Sequence, residues 1–468
     1  MDHEKMPLLY TDDSSPNPKF PAAAFSFPES FAASQEQDRS RLRAQRRKRI
    51  LRHLLVLFSF VFLGVYYFDL VHVHKYHSHR HHPHRSHWNN GVSRVDSDAG
   101  LHVPSGLTIQ HCAEWLEAER IDPEGLYVVQ HTFALPMDSD LLFLVARGRS
   151  MNGNVNIIQS NETSDSAVVT ISTSYDDADL LNLFKLCNVA AREGENGVGI
   201  FSSQSHPRHH DHHVSFDITV AFPQGSGPSP LVVSDFKTEM KGIFGHQVAN
   251  LTESIFFDSI SLSGAYRPVH VDSLQARSVR IHSVNSPIEG NFTVKKLLRL
   301  STANAHINIS ASLWNHKDDE DITELVMNTV NSPIEASVSL SEETTSSDGT
   351  FRVGAHNANG AVEIAFPAAP INSTVLLNAK TAAAPIHVQM HNTFEGAFTV
   401  HSAPFDKKII VTDEGPDPEG KDRKRNLIFD VINRRFSKGK VFWGDEQSDR
   451  ARGSVGLDTV SGQISLKF

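Results

Sequence analysis

The chain has 468 residues, 39% of them hydrophobic, with 44 Lys and Arg against 54 Asp and Glu. That is enough apolar material for a large core, so the chain is not disordered throughout, and its length suggests about three domains. A net charge of −10 argues against general nucleic-acid binding, and two cysteines, Cys112 and Cys187, are too few for a disulfide-rich mini-domain or a four-cysteine zinc module.

Residues 1–38 are rich in Pro, Ser, Ala and acidic side chains and lack helical or strand periodicity, so 1–49 read as a disordered cytosolic tail. Within it, Glu4-Lys5-Met6-Pro7-Leu8-Leu9 looks like an acidic dileucine sorting signal built on Glu4, Leu8 and Leu9, with a plain solvated tail as the competing reading. Eight basic residues from Arg39 to Arg52 then precede the charge-free run 54–68, which Ile50, Leu51, Leu70 and Val71 extend. Crossing a bilayer takes about 20 apolar residues, so 50–73 read as one transmembrane helix. The basic flank keeps the N-terminus cytosolic, which makes this a type II signal-anchor. A cleaved signal peptide would need a small-residue cleavage site after Phe68, which is missing, and a buried core helix leaves the charge asymmetry unexplained. Residues 1–53 hold ten basic and seven acidic side chains, leaving 34 and 47 beyond them, so only the segment beside the anionic leaflet is basic.

Residues 74–108 read as a His-rich stalk. The tract His72, His74, His77, His79, His81, His82, His84 and His87 has a counterpart at His206, His209, His210, His212 and His213. Neutral imidazoles can take zinc, copper or nickel, but neither tract has a defined geometry, so no metal or cofactor is assigned to them. From about 109 the dominant period becomes two. Val214, Phe216, Ile218, Val220 and Phe222 alternate with polar or small residues, and similar strands read at 126–135, 141–146, 155–158 and 168–172. Residues 177–191 read as a helix, with Leu180, Leu183, Phe184 and Cys187 on one face and Asp176 or Asp177 as cap. A loop is expected at 225–230, and the β-rich luminal module is placed at 109–265.

The second half repeats itself. Val284-Asn285-Ser286-Pro287-Ile288-Glu289 recurs unchanged as Val330-Asn331-Ser332-Pro333-Ile334-Glu335, and looser copies follow around Asn304, Asn359 and Ala383 and at 457–466. Aligned on Asn285, Asn304, Asn331, Asn359 and Ala383, the steps are 19, 27, 28 and 24 residues. Each unit is a strand, a turn and a strand, too small to cover its own apolar face, so neighbours must stack. Ile288 and Ile334 should point inward just after their turns. The expected architecture is mainly β, with a β-solenoid or stacked β-repeat domain at 266–468; an antiparallel sandwich is the competing fold.

These repeats from about 269 to 400, together with Gly439-Lys440-Val441-Phe442-Trp443-Gly444 and Gly453-Ser454-Val455, resemble an adhesin-like β-repeat family of domains of unknown function. The family includes membrane-anchored fungal proteins with the same plan of tail, span and ectodomain. Cys112-Ala113-Glu114-Trp115 and the stretch from Glu193 to Phe201 are similar to its fungal members. The resemblance implies a stacked β shape and brings no ligand or catalytic residue.

Common nucleophile, zinc and phosphate signatures are absent from the sequence. The expected function is therefore a non-enzymatic ectodomain, luminal or extracellular on an endomembrane, vacuole or cell surface, for protein or glycan contact. The alternative is a luminal sugar-processing enzyme of the secretory pathway, for which Asp177-Ala178-Asp179 and Asp319-Glu320-Asp321 are formal cation-binding matches. Glycosylation sequons occur at Asn161, Asn250, Asn291, Asn308 and Asn372, all beyond the span. In an oxidising lumen Cys112 and Cys187 are expected to pair, two separate buried thiols being the other reading.

Overall fold

The computed structural model describes residues 101, 103–118, 120–203, 213–315, 322–342, 349–413, 415–445 and 453–468. Outside them lie the tail with Glu4, Leu8 and Leu9, the span at 50–73, the first histidine tract, the second except His213, and Asp319-Glu320-Asp321. Among the described residues no helix is long and apolar enough to cross a membrane.

In chain order the first strands are β1 (Thr108–Cys112), β2 (Arg120–Ile121), β3 (Tyr127–Pro136), β4 (Leu141–Arg147), β5 (Asn152–Gln159) and β6 (Ser166–Tyr175). Next come β7 (Phe184–Ala190), β8 (Glu195–Ser202), β9 (Val214–Phe222), β10 (Leu231–Met240), β11 (Ile243–Asn250), β12 (Ile255–Ser263), β13 (Val269–His282) and β14 (Ile288–Ser301). They are followed by β15 (Ile307–Asn315), β16 (Thr323–Asn328), β17 (Ile334–Glu342), β18 (Thr350–His356), β19 (Val362–Ala365), β20 (Thr374–Thr381) and β21 (Ile386–Gln389). The last are β22 (Gly396–His401), β23 (Lys408–Val411), β24 (Arg425–Ile432), β25 (Phe436–Trp443), β26 (Gly453–Thr459) and β27 (Ile464–Lys467). The strands read from alternation are all present, β9 with the expected limits, and the loop at 225–230 separates β9 from β10.

Equivalent strands of successive repeats pair in parallel, giving two long stacks. Sheet one runs β8, β4, β10, β12, the second halves of β13 and β14, then β16, β18, β20, β26 and β22. Sheet two runs β9, β5, β11, the first halves of β13 and β14, then β15, β17, β19, β21, β27 and β23. Both sheets continue unbroken on either side of residue 266. Each of β13 and β14 is 14 residues long and crosses from one sheet to the other, with register shifts marking the bend. Spatial order departs from chain order twice. The pair β4–β5 lies between β8–β9 and β10–β11, and β26–β27 lies between β20–β21 and β22–β23.

Period-two alternation turns one side of the stacked strands into the core between the sheets. Val269, Ile288, Ile307, Ile334, Val362, Ile386 and Ile464 are register partners in consecutive rungs of sheet two, and each is 0% exposed. Ile288 and Ile334 thus point inward, as the turn frame requires. Branched side chains suit such a column because they are stiff at χ1 and stack on the pleat. Antiparallel strands close the ends: β7 and β1 beyond β8, β6, β3 and β2 beyond β9, and β25 and β24 beyond β22. Covering the terminal rungs in this way removes most open edges.

The helix expected at 177–191 is not there. Asp177 caps a six-residue 3₁₀ turn, Ala178–Leu183, and the chain then enters β7. Phe184 and Leu186 face the main core, whereas Cys187 and Val189 face a second cluster with Val103, Leu107, Phe143, Val145 and Phe201 on the outer side of sheet one. A strand buried on both sides loses its alternation, so its apolar residues satisfy helical spacing equally well. Cys112 and Cys187 are register partners on β1 and β7 and form a disulfide within this cluster.

Candidate interaction surface

Because outward side chains of consecutive rungs stand in register about 4.8 Å apart, the surface is organised in rows. On sheet two one row runs His270, Glu289, Asn308, Glu335, Glu363 and His387. Glu289 accepts from His306 Nε2 at 2.7 Å, and His270 Nε2 lies 3.1 Å from Asp272. On sheet one the corresponding row runs Lys237, Ser261, Arg280 and Arg299, with Arg277, Lys295 and Lys296 at the neighbouring bends. These two rows therefore differ in charge, and on sheet one the acidic Glu239 and Asp258 pair with Lys237 and Arg277. Sequence reasoning missed the basic cluster because Arg277, Arg280, Lys295, Lys296 and Arg299 are dispersed until register and face are known; the signal was their recurrence at outward positions of two successive repeats.

The tight turns line up along one edge and carry an amide ladder. Asn304 donates to Asn285 at 2.6 Å, Asn331 to Asn304 at 2.7 Å and Asn359 to Asn331 at 2.8 Å. Those are the positions on which the repeats align. Beneath the ladder a buried row ties each turn to its neighbour: the Thr302 hydroxyl donates to the Ser286 carbonyl, Thr329 to that of Ala305, the Asn357 amide to that of Ser332 and Thr459 to that of Ala384. One alignment of polar turn residues thus fixes register along the stack, since a slipped rung would leave these buried groups unpaired.

Sheet one also holds buried polar groups near its first rungs. Arg147 pairs with Glu239 and donates Nη1 to the Glu239 carbonyl at 2.8 Å, and Lys237 also pairs with Glu239. Burial opposes ionisation of Glu239, but Lys237 and Arg147 together outweigh it and hold the carboxyl below its usual value. His246 on β11 is 2% exposed, with Nε2 2.8 Å from the Thr238 hydroxyl, and burial pushes its pKa down to about 4.

Asp177 of the formal Asp-x-Asp match accepts from the Asp179 amide at 3.0 Å, the work of a cap, and Asp319-Glu320-Asp321 lies outside the described residues. Among the described residues no group of three or more His, Cys, Asp and Glu is arranged to hold a metal ion. A cleft bordered by Asn372, Glu395, Glu419 and Arg423 has a volume of about 20 Å³, which admits roughly one water. Its wall is the loop after β23, organised by Asp417, which accepts from Arg423 Nη2 at 2.7 Å and from the backbone amides of Glu419 and Arg423. The Arg423 hydrogen bonds hold the Asp417 carboxyl well below the usual carboxylate range.

All five sequon asparagines are exposed. Asn250, Asn291 and Asn308 lie on β11 and on the sheet-two parts of β14 and β15, Asn161 follows β5, and Asn372 lies between β19 and β20. None lies on a strand of sheet one.

No family model matches the chain, and no curated protein matches it. Solved structures that match include one provisionally described as a cell adhesion protein from Clostridium sporogenes, at 9% identity over 73% of this chain and 99% of that one, with a TM-score of 0.15. Another, provisionally described as an adhesin from Bacteroides fragilis, matches at 12% identity over 56% of this chain and 97% of that one, with a TM-score of 0.26. No residue role is carried over from either.

Proposed function

We propose that the chain is a type II single-pass membrane protein whose stacked β-repeat ectodomain, luminal or extracellular, binds protein or glycan partners and has no catalytic role. The observation that carries this reading is the pair of long, regular outer faces with polar rows at constant spacing. Repeat stacks present such extended surfaces, whereas small-molecule sites occupy enclosed clefts of about 300–1,000 Å³. The basic run before residue 54 supports the orientation, and Glu4, Leu8 and Leu9 support sorting through a cytosolic coat.

Two measurements test it. A tag on Met1 should be digested by protease in sealed microsomes, and protection of that tag would overturn the topology. The purified full-length chain should bind ligands on a mixed protein and glycan array and leave sugar nucleotides intact with divalent cations present. Metal-dependent hydrolysis would favour the sugar-processing alternative instead.

A further inference from the structure

We infer that the outer face of sheet one docks an anionic glycan, through the basic patch on the second halves of β13 and β14; this rests on the adhesive reading above and names its ligand class. Arg277, Arg280, Lys295 and Lys296 are exposed and Arg299 half-buried. Arg280 and Arg299 are register partners on adjacent rungs, and Lys237, paired with Glu239, stands in the same row two rungs from Arg280. Lys295 Nζ sits 5.8 Å from the centre of the Phe256 ring, which limits its freedom, and Asp258 pairs with Arg277 at 3.3 Å. The cations gather on one face of a chain whose net charge is −10, while the row on sheet two carries Glu289, Glu335 and Glu363. Clustering against the overall sign creates a local field that attracts polyanions.

Among the described residues the patch also lies open. The disulfide-containing cluster covers sheet one only around β4, β7 and β8, the strands β24 and β25 close its far end, and the sequons lie on sheet two or in loops. Glycans attached at those asparagines would clothe the opposite side.

Serine hydroxyls among the cations, which both donate to and accept from sugar hydroxyls, favour a glycan over an acidic peptide. Ser261, Ser278 and Ser301 stand among the cations and supply hydroxyls for sugar oxygens.

The test uses the full-length chain in detergent on immobilised heparin, polygalacturonate and neutral dextran. Saturable, salt-sensitive binding to a polyanion and not to dextran is expected. The Arg280→Gln/Arg299→Gln variant should lose about tenfold or more in affinity, about 1.4 kcal/mol or more. A separate Lys295→Gln/Lys296→Gln variant should also weaken binding, and Lys421→Gln/Lys424→Gln on the loop after β23 should not. Unchanged melting of all three variants would show that the loss is local. Failure of the wild type to bind either polyanion, or equal binding by the patch variants, would overturn the inference. Tighter binding to polyglutamate or to phosphatidylserine vesicles, lost in the same variants, would overturn the glycan assignment. Array binding to a neutral glycan or a protein that survives the patch variants would refute the patch and leave the adhesive reading standing.

Discussion

Replacing Ile334 tests the stacked-column account most directly. Its side chain is 0% exposed and is held between Ile307 and Val362, its register partners on either side. Ile334→Ala removes three carbons, about 2.4 kcal/mol at 0.8 kcal/mol each, and leaves a cavity in a column with no loop to collapse into it. The total expected is about 3–4 kcal/mol. Ile334→Asp adds the cost of a desolvated carboxylate, so its loss should be greater at neutral pH and partly relieved in acid, where the carboxyl is protonated. Urea denaturation followed by far-UV circular dichroism would measure both, with Ser337→Ala on the outer face of the same strand as control, expected near zero. Since each rung contacts only its neighbours, Ile334→Asp should also split the transition or lower the m-value. An Ile334→Ala loss no greater than that of Ser337→Ala would refute the inward assignment and the register with it.

The pKa of His246 is about 4 in the folded chain against 6.5 for an ordinary histidine. The unfolded chain therefore takes up a proton that the folded one refuses, so stability should fall as pH drops from about 6.5 to 4 and level off below. The integrated effect is about 3 kcal/mol, and His246→Gln should flatten that part of the profile when melting is followed against pH. Asn331→Ala removes two rungs of the amide ladder and should cost about 1 kcal/mol, whereas a loss indistinguishable from zero would make the ladder ornamental. Replacing Cys112 and Cys187 together by Ala opens a loop of 75 residues and should cost up to about 4.5 kcal/mol, read as a lowered melting temperature; intact peptides alkylated without reduction would deny the bridge. Glycosidase treatment of chain made in a secretory host should increase its gel mobility, and no change would leave all five sequons empty.

Local pattern made much of the stack legible. Val214 to Phe222 alternate cleanly because only one face of β9 meets the core, and the repeated Asn-Ser-Pro-Ile frame marks turns whose amides pair in space at the same steps found in the sequence. Phe184 to Ala190 were misread for the opposite reason, since burial on both faces erases the period that separates strand from helix. The continuous β13 and β14 were hidden by their bends, which interrupt alternation without breaking the strand. The charged faces were not legible at all: that Arg280 meets Arg299 depends on register between rungs, which no single repeat encodes. Residues 457–466 were recognisable as a last repeat, but every rung offers the same apolar column, so their place between two earlier rungs could not be read from the pattern.

That place has a consequence for assembly. A stack zipping from β10 reaches β20–β21 and finds no successor, because β22–β23 is laid down one step too far out and waits for β26–β27 to arrive. Closing the gap joins strands about 75 residues apart, including Thr381 and Thr459, whose hydroxyls lie 2.9 Å from each other, so it is a non-local event after a run of local ones. Until then the slot exposes unpaired strand edges on both sides, and any copy of β26–β27 fits it equally well. Crowded refolding should therefore produce molecules that lend this strand pair to one another, with Phe468 of the lent arm reaching Phe394 and Phe398 of the recipient, contacts that it makes within its own chain when folding is dilute.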